Sequence, residues 1–492
     1  MQYQQLKEKM YELQLVSSMG ALLSWDMEVN MPKNSDRNFR GDQSAYISGL
    51  HFQMFTNPKL VDLVKNLSEK GSNLSEIEQK NISKIKKSLD QTLKFTKEFV
   101  EKEARLTTEA HHIWADAKSK SDFKLYEKKL AEIVELLKEK AEIIGYENHK
   151  YNALLDLYEE GSNVNDLDVL FGEVKSKLKP LIENVVAKQN VSTQFMKQFF
   201  DKDAQMLFTK NILDFLNCDA NSYHLGLATH PFCTHFHPTD IRMTTRIDEN
   251  DLASVVWSAI HEMGHGLYEM GLNKNEVGMP ISESTSLGIH ESQSRFWENN
   301  IGRNKHFIEA IFPIMLKHFP KQFEKATPTD IFNEVNYVKP SLIRTESDEL
   351  TYHYHIMIRY EIEKMLIENT LQVKDVVSYW NESYKKFLDL DVPNDAKGAL
   401  QDIHWSMGGM GYFPTYSQGS FYASQWYEEI SKSNNLDQMI KNQEFKKIQK
   451  WHNEHIHVHG KLLNSNEICE KATGNKLSFS SFENYIKQKF DI

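Results

Sequence analysis

The sequence predicts a predominantly α-helical protein, one large body across residues 1–492, with a small β-sheet beside a helix bearing His-Glu-x-x-His. Three observations support that fold class. Long stretches repeat apolar residues at helical spacing. Only three prolines precede residue 230, against nine after it, so the first half has few helix breakers. One segment alone, Thr239–Ile247, alternates cleanly as a strand, with Ile241, Met243, Thr245 and Ile247 on one side.

In chain order, residues 1–24 form an amphipathic helix through Leu6, Met10, Leu13, Met19 and Leu23, ended by the stretch Trp25–Pro32. Helical character resumes over Arg37–Phe55. Ser75 and Glu78 make a capping box for a helix whose face is Ile82, Ile85, Leu89, Leu93 and Val100, extending as far as Trp114. Its lysines, Lys84, Lys86, Lys87, Lys94 and Lys97, read as a solvated face. Phe123–Ile144 is helical, a turn falls at Gly161-Ser-Asn163, and Val164–Leu216 carries two or three helices, one starting near Pro180. Helical signals return at Phe307–His318, Pro328–Tyr337, Tyr352–Gln372 and Val376–Leu388. Residues 393–416, rich in Gly and aromatics, read as a folded loop region, and the tail 420–492 as polar helix.

Composition excludes several classes of function. With 40% hydrophobic and 26% charged residues the chain is ordinary globular material. Its net charge of −11 argues against nucleic-acid or acidic-membrane partners. The polar start carries no apolar signal core, and the run Leu252–Ile260 is too short to span a bilayer. Cys218, Cys233 and Cys469 form no paired framework, which points to reduced thiols in the cytoplasm.

The chemistry sits in Trp257–Tyr268. His261 and His265 are four apart, so a helix projects both imidazoles from one face, and Glu262 stands about 100° around the same turn. Two neutral imidazoles suit Zn²⁺, and a carboxylate beside a water on that ion is a general base, the zinc-hydrolase pattern. Ala259, Ile260, Met263 and Leu267 make the rest of the segment apolar, so its buried polar residues need a purpose. The third ligand decides the class. A motif extended by Gly and a third His is excluded, because Tyr268 and Gly271 occupy those positions. A carboxylate must serve, and Glu269, Glu276, Glu283 and Glu291 are available. Glu269 lies on the same helix, too near to close a tetrahedron, and Glu276 falls in the polar turn after Gly271. Spacing does not choose between Glu283 and Glu291, although His290 and Ser292–Ser294 could support the latter. The strand at 239–247 could pair with an extended peptide by strand addition or be an ordinary surface hairpin.

Six short strings occur in order: His230-Pro-Phe232, Asp240-Ile-Arg-Met-Thr244, His261-Glu-Met-Gly-His265, His290-Glu-Ser-Gln293, Ile343-Arg-Thr-Glu-Ser-Asp348 and Gly398-Ala-Leu-Gln-Asp-Ile-His-Trp405. In these the chain resembles the carboxypeptidase Taq (M32) metallocarboxypeptidases, with weaker similarity from Trp25 through Gly460. The resemblance implies a zincin-like helical fold with a deep substrate groove, a homodimer, and release of C-terminal residues from peptides. It makes Glu291 the third ligand of a Zn²⁺ ion, with Co²⁺ as another divalent possibility, and leaves Glu283 either a structural role or one of supporting the ligands from behind.

An enzyme acting at free C-termini needs a fixed cation for the substrate carboxylate, and Arg binds one bidentately. Arg344, in a family motif, is favoured over the plain reading of an i,i+4 pair with Asp348; Asp240 and Arg242 are also expected at the substrate, and Arg246 competes. A developing oxyanion needs a donor opposite the metal. Tyr412 and His230 are the expected pair, with Tyr416 and His235 in reserve, while Gln401, Asp402, His404 and Trp405 brace the site. The cluster His452, His455, His457 and His459 is read as packing rather than ligation, as are His111, His112, His353 and His355. Rival readings are an oligopeptidase with the same zinc site, an aminopeptidase, and a non-catalytic peptide-binding protein. The aminopeptidase lacks a Gly-x-Met-Glu-Asn string, and the binding protein sits badly with an intact Glu262.

Overall fold

The computed structural model describes residues 2–70, 73–190 and 194–492. The chain is 69% helical, and the described residues hold one three-stranded sheet, so helix dominates as the periodicity predicts. The first helices are α1 (Gln2–Val29), α2 (Arg37–Phe55), α3 (Pro58–Lys70), α4 (Glu76–Thr92) and α5 (Lys97–Lys120). Next come α6 (Lys124–Ile144), α7 (Tyr151–Leu155), α8 (Val164–Lys188) and α9 (Lys202–Phe215). Strands β1 (Tyr223–Leu227), β2 (Cys233–His237) and β3 (Asp240–Thr245) then lead into α10 (Leu252–Gly271) and α11 (Leu287–Arg295). Two compact units result. One comprises Met1–Thr92, Val191–Val335 and Tyr422–Leu477, and the other Leu93–Asn190, Asn336–Phe421 and Ser478–Ile492.

In the first unit, the predicted apolar stripe of α1 (Leu6, Met10, Leu13) packs with Leu60, Val64 and Leu67 of α3 and Ile82, Ile85 and Leu89 of α4. Helix α3 was not anticipated, yet its start has a local signal: Pro58 opens it and the Asn57 side chain accepts the Lys59 N–H at 2.9 Å. The capping box forms, with Ser75 N–H donating to Glu78 at 2.8 Å and Glu78 N–H to Ser75 Oγ at 3.3 Å. The helix it starts ends at Thr92 instead of running on to Trp114. Thr96 adopts an extended conformation, caps the Phe99 N–H and starts α5, so Leu93 and Val100 fall off the expected face and are exposed.

The sheet has the order β1-β3-β2, with β1 parallel and β2 antiparallel to β3. The alternating segment is therefore the central strand, paired on both edges and closed to strand addition. Ile241 and Met243 are buried from it, and Thr245 Oγ1 donates to Val255 O of α10 at 3.0 Å. The metal-motif helix thus rests on the face the alternation predicts. On the opposite face Arg242 pairs with Asp240 at 2.6 Å, its guanidinium 5.3 Å from the Trp25 ring and 5.2 Å from that of Phe236.

In the second unit, Pro180 lies inside α8 rather than near a helix start. A proline there leaves the carbonyl of Ser176 without its intrahelical donor. Both residues sit on the exposed face, where the freed carbonyl is open to solvent. The helix Tyr352–Ile367 is buried on nearly all sides, and the region 393–416 forms short 3₁₀ turns around aromatic side chains.

Candidate metal centre

Helix α10 is capped by Asp251, whose side chain accepts the Ser254 N–H at 3.4 Å, and its middle is apolar on every side except at the motif. Two glycines let neighbours reach its backbone. A Cβ at Gly264 would lie 2.5 Å from Gln293 O and 2.6 Å from Ser294 Cα, so α10 and α11 touch backbone to backbone at the motif's own glycine. A Cβ at Gly266 would meet Ile241 and Met243 of β3 at 3.1 and 3.3 Å. Glycine within a helix costs about 1 kcal/mol relative to Ala; here it sets how closely α11 approaches.

That approach separates the four candidate glutamates. Glu276 pairs with Lys7 at 2.7 Å and Glu283 with Lys461 at 3.2 Å. Glu269 turns to His290 at 2.7 Å. Glu291 alone among them faces the His pair: its Oε2 is 3.6 Å from His261 Nε2 and 3.5 Å from His265 Nε2. Ligand atoms about 2.0–2.2 Å from a tetrahedral zinc lie about 3.3 Å apart. His261, His265 and Glu291 are the one group of this kind among the described residues, with ligand atoms all within 4.8 Å.

The surroundings suit a cation. Glu291 Oε1 accepts from Arg295 Nε at 2.6 Å and its Oε2 from Ser294 Oγ at 3.1 Å, which holds the carboxylate in place. After α11 the chain continues as a π-helical turn, Phe296–Ile301, which carries Glu298 to His261 Nδ1 at 2.8 Å. Burial pushes Glu298 up, but the His261 bond together with Arg295 and Arg303 outweighs it and holds the carboxyl well below its usual range. Sequence reasoning missed Glu298. Its only signal is a spacing of seven from Glu291, two helical turns on. His265 Nδ1 lies 2.5 Å from His290 Nδ1. Burial, with the neighbouring imidazoles, keeps His265 well below the usual range and therefore neutral, the ligating form. Glu262 is buried beside the pair. Burial, opposed by His261 and reinforced by Glu291, raises it to about 7, whereas a cation between those ligands would favour its carboxylate.

The remaining expected residues divide between the units. His230 is exposed on the turn before β2, while the reserve residue His235 brings Nδ1 to 3.3 Å from Glu269 Oε2. Arg246 is exposed. In the other unit Arg344 is buried and makes no pair with Asp348, whose carboxylate caps Leu350 and Thr351 N–H instead. Arg344 and Arg359 both bind Asp402, through Nε at 3.0 and 2.7 Å, and hold its carboxyl well below the usual range against burial. Asp402 therefore braces Arg344. The Tyr412 and Tyr416 rings lie 5.3 Å apart with their planes tilted by 52°, with Arg344 5.0 Å from the Tyr416 ring and His404 5.2 Å from that of Tyr412. Glu363, raised to about 7 by burial, accepts from Trp405 Nε1 at 2.7 Å and Gly411 N at 2.8 Å, tying both ends of the turn before Tyr412. Two of the four tail histidines are buried in packing: His457 Nε2 bonds Gln293 Oε1 at 2.9 Å, and His452 packs edge-on against Phe296. His353 and His355 are likewise buried, against Ser417 and Tyr384.

Comparison with known proteins places this site in context. The family described as carboxypeptidase Taq (M32) metallopeptidase matches residues 5–490. Carboxypeptidase 1 of Bacillus subtilis is 37% identical over 472 residues, 96% of this chain and 94% of that protein. The solved structure of Pyrococcus furiosus carboxypeptidase superposes with a TM-score of 0.96 at 34% identity, covering 99% of each chain. The M32 carboxypeptidase from Deinococcus radiodurans does so at 0.97 and 30% identity, covering 99% of this chain and 98% of that one.

Proposed function

The chain belongs to the carboxypeptidase Taq (M32) metallopeptidase family, and from that membership we propose that it releases C-terminal amino acids from peptides with a zinc ion on His261, His265 and Glu291. The enzyme is a metallocarboxypeptidase of a family that works with a divalent metal. The observation that carries the finer reading is the convergence of two imidazole nitrogens and one carboxylate oxygen at 3.5–3.6 Å beside a buried Glu262. Nitrogen and oxygen donors of this kind, with both Nδ1 atoms held by partners, fit zinc.

Bound there, a zinc ion would lower the pKa of a water and polarise the scissile carbonyl. The protein's residues do the rest. Glu262 takes the proton of the attacking water and returns it to the departing amine. Tyr412 and His230 are the proposed donors to the oxyanion, with Tyr416 and His235 behind them. Arg344 is the proposed anchor for the substrate carboxylate, with the Asp402 brace keeping its fork from turning away, and Asp240 and Arg242, paired with each other, are proposed to bind the substrate elsewhere along its length. A homodimer in the cytoplasm completes the reading, the first carried by the resemblance and the second supported by three free cysteines.

Mass spectrometry of one peptide, with its C-terminus free or amidated, tests this. Residues should leave the free peptide one at a time from the C-terminus while the amide stays intact. Internal cuts in both forms would make the protein an oligopeptidase, loss from the amino end an aminopeptidase, and binding without cleavage a peptide-binding protein.

A further inference from the structure

The two metal-facing histidines are held differently. His261 Nδ1 meets a carboxylate directly, that of Glu298 at 2.8 Å. His265 Nδ1 meets another imidazole, His290 Nδ1, at 2.5 Å, and His290 Nε2 continues to Glu269 Oε1 at 2.7 Å. Glu269 is one full helical turn beyond His265 on α10, and His290 comes from α11. Two unprotonated, or two protonated, Nδ1 atoms cannot face each other at that distance, so one imidazole donates and the other accepts.

We propose that Glu269, acting through His290, sets the tautomer of His265 and thereby the affinity of the centre for its metal. This inference rests on the ligand set proposed above. A carboxylate only accepts, so Glu269 requires the proton of neutral His290 to sit on Nε2. His290 Nδ1 is then an acceptor, which places the proton of His265 on Nδ1. His265 Nε2 is left with its lone pair directed at the position that Glu291 Oε2 faces. The opposite arrangement would put a hydrogen on His265 Nε2 and block ligation. Glu269 is thus a positioning residue two hydrogen bonds from the ion. Partners one shell behind a ligand typically change metal affinity by about 10–100-fold.

Glu269→Gln tests this with little change of shape, because its amide can donate to His290 Nε2 and release the blocking tautomer. Zinc affinity is read by competition with a chromophoric chelator, for wild type, Glu269→Gln, His290→Leu, the double variant and His261→Ala, each checked for folding by circular dichroism. Glu269→Gln and His290→Leu should each weaken zinc by about 10–100-fold, and the double variant should be no weaker than His290→Leu. Equal losses from Glu269→Gln with and without His290 would show that Glu269 acts by another route and overturn the relay. Unchanged affinity in both single variants would overturn it too, and if one of them fails to fold, the other decides. If His261→Ala also keeps its zinc, the ligand set itself is wrong; if His261→Ala loses zinc while the relay variants do not, only the relay falls.

Discussion

Gly264→Ala is the most direct test of how the metal centre is built. The added Cβ would stand 2.5 Å from Gln293 O and 2.6 Å from Ser294 Cα, where ordinary contact begins at 3.4 Å. Both obstacles are backbone, two and three residues beyond Glu291, and neither can swing aside. The α11 backbone must therefore retreat by about 0.9 Å. Overpacking of this kind costs about 1–3 kcal/mol, offset by about 1 kcal/mol from the better helix propensity of Ala. Metal-free stability should thus drop only modestly. Zinc binding should suffer far more, since ligand distances tolerate about 0.2 Å and Glu291 would move several times that. An affinity loss of at least about tenfold, or 1.4 kcal/mol, is expected in chelator competition, alongside a small loss in metal-free thermal melts. Gly49→Ala on α2, where a Cβ meets nothing within 4 Å, is the control: it should leave zinc affinity unchanged and raise stability by about 1 kcal/mol through helix propensity alone. Zinc affinity within about twofold of wild type in Gly264→Ala would refute the claim that this glycine sets the α10–α11 distance.

Three further outcomes are expected. Glu262→Gln should keep its zinc, measured by elemental analysis, and lose about 10²–10⁴-fold in kcat; near wild-type turnover would remove its general-base role. Glu291→Ala should abolish tight zinc binding while Glu283→Ala, which breaks only the pair with Lys461, should not; the reverse result would exchange their roles. Burial lowers His404 to about 4, so the unfolded chain takes up a proton near pH 6.5 that the folded protein refuses. Stability from this group is complete above pH 6.5 and is lost as pH falls toward 4, about 3 kcal/mol in all. His404→Phe should therefore gain stability relative to wild type between pH 7 and 4.5 in denaturant melts; parallel pH profiles would contradict the assignment.

Much of the fold was legible because it is local. The helix stripe Leu6–Met10–Leu13, the Ser75–Glu78 box and the alternation of β3 depend on neighbours within a few residues, and each forms. The misreadings share one cause: the local signal tied with another or was outvoted by surroundings. A continuous apolar stripe hid the stop at Thr92, because Thr96 reads equally as helix interior or cap. Pro180 reads as a helix start, and only its exposure lets α8 continue through it. The alternating segment is as compatible with a surface hairpin as with the central strand, since pairing partners lie outside the alternation itself.

The candidate site divides in the same way. Helical spacing alone determined that His261 and His265 share a face with Glu262 beside them, because residues one turn apart need no partner from elsewhere to align. Spacing left Glu283 and Glu291 open and only the resemblance pointed to Glu291; the tertiary structure brings Glu291 to the histidine pair, while Glu269, Glu276 and Glu283 meet other partners. It also decided that Glu298 holds one histidine, that a His290–Glu269 pair holds the other, and that Arg344 pairs with Asp402 rather than Asp348. These choices follow from where separate elements come to rest, and the contact at Gly264 sets the one between α10 and α11.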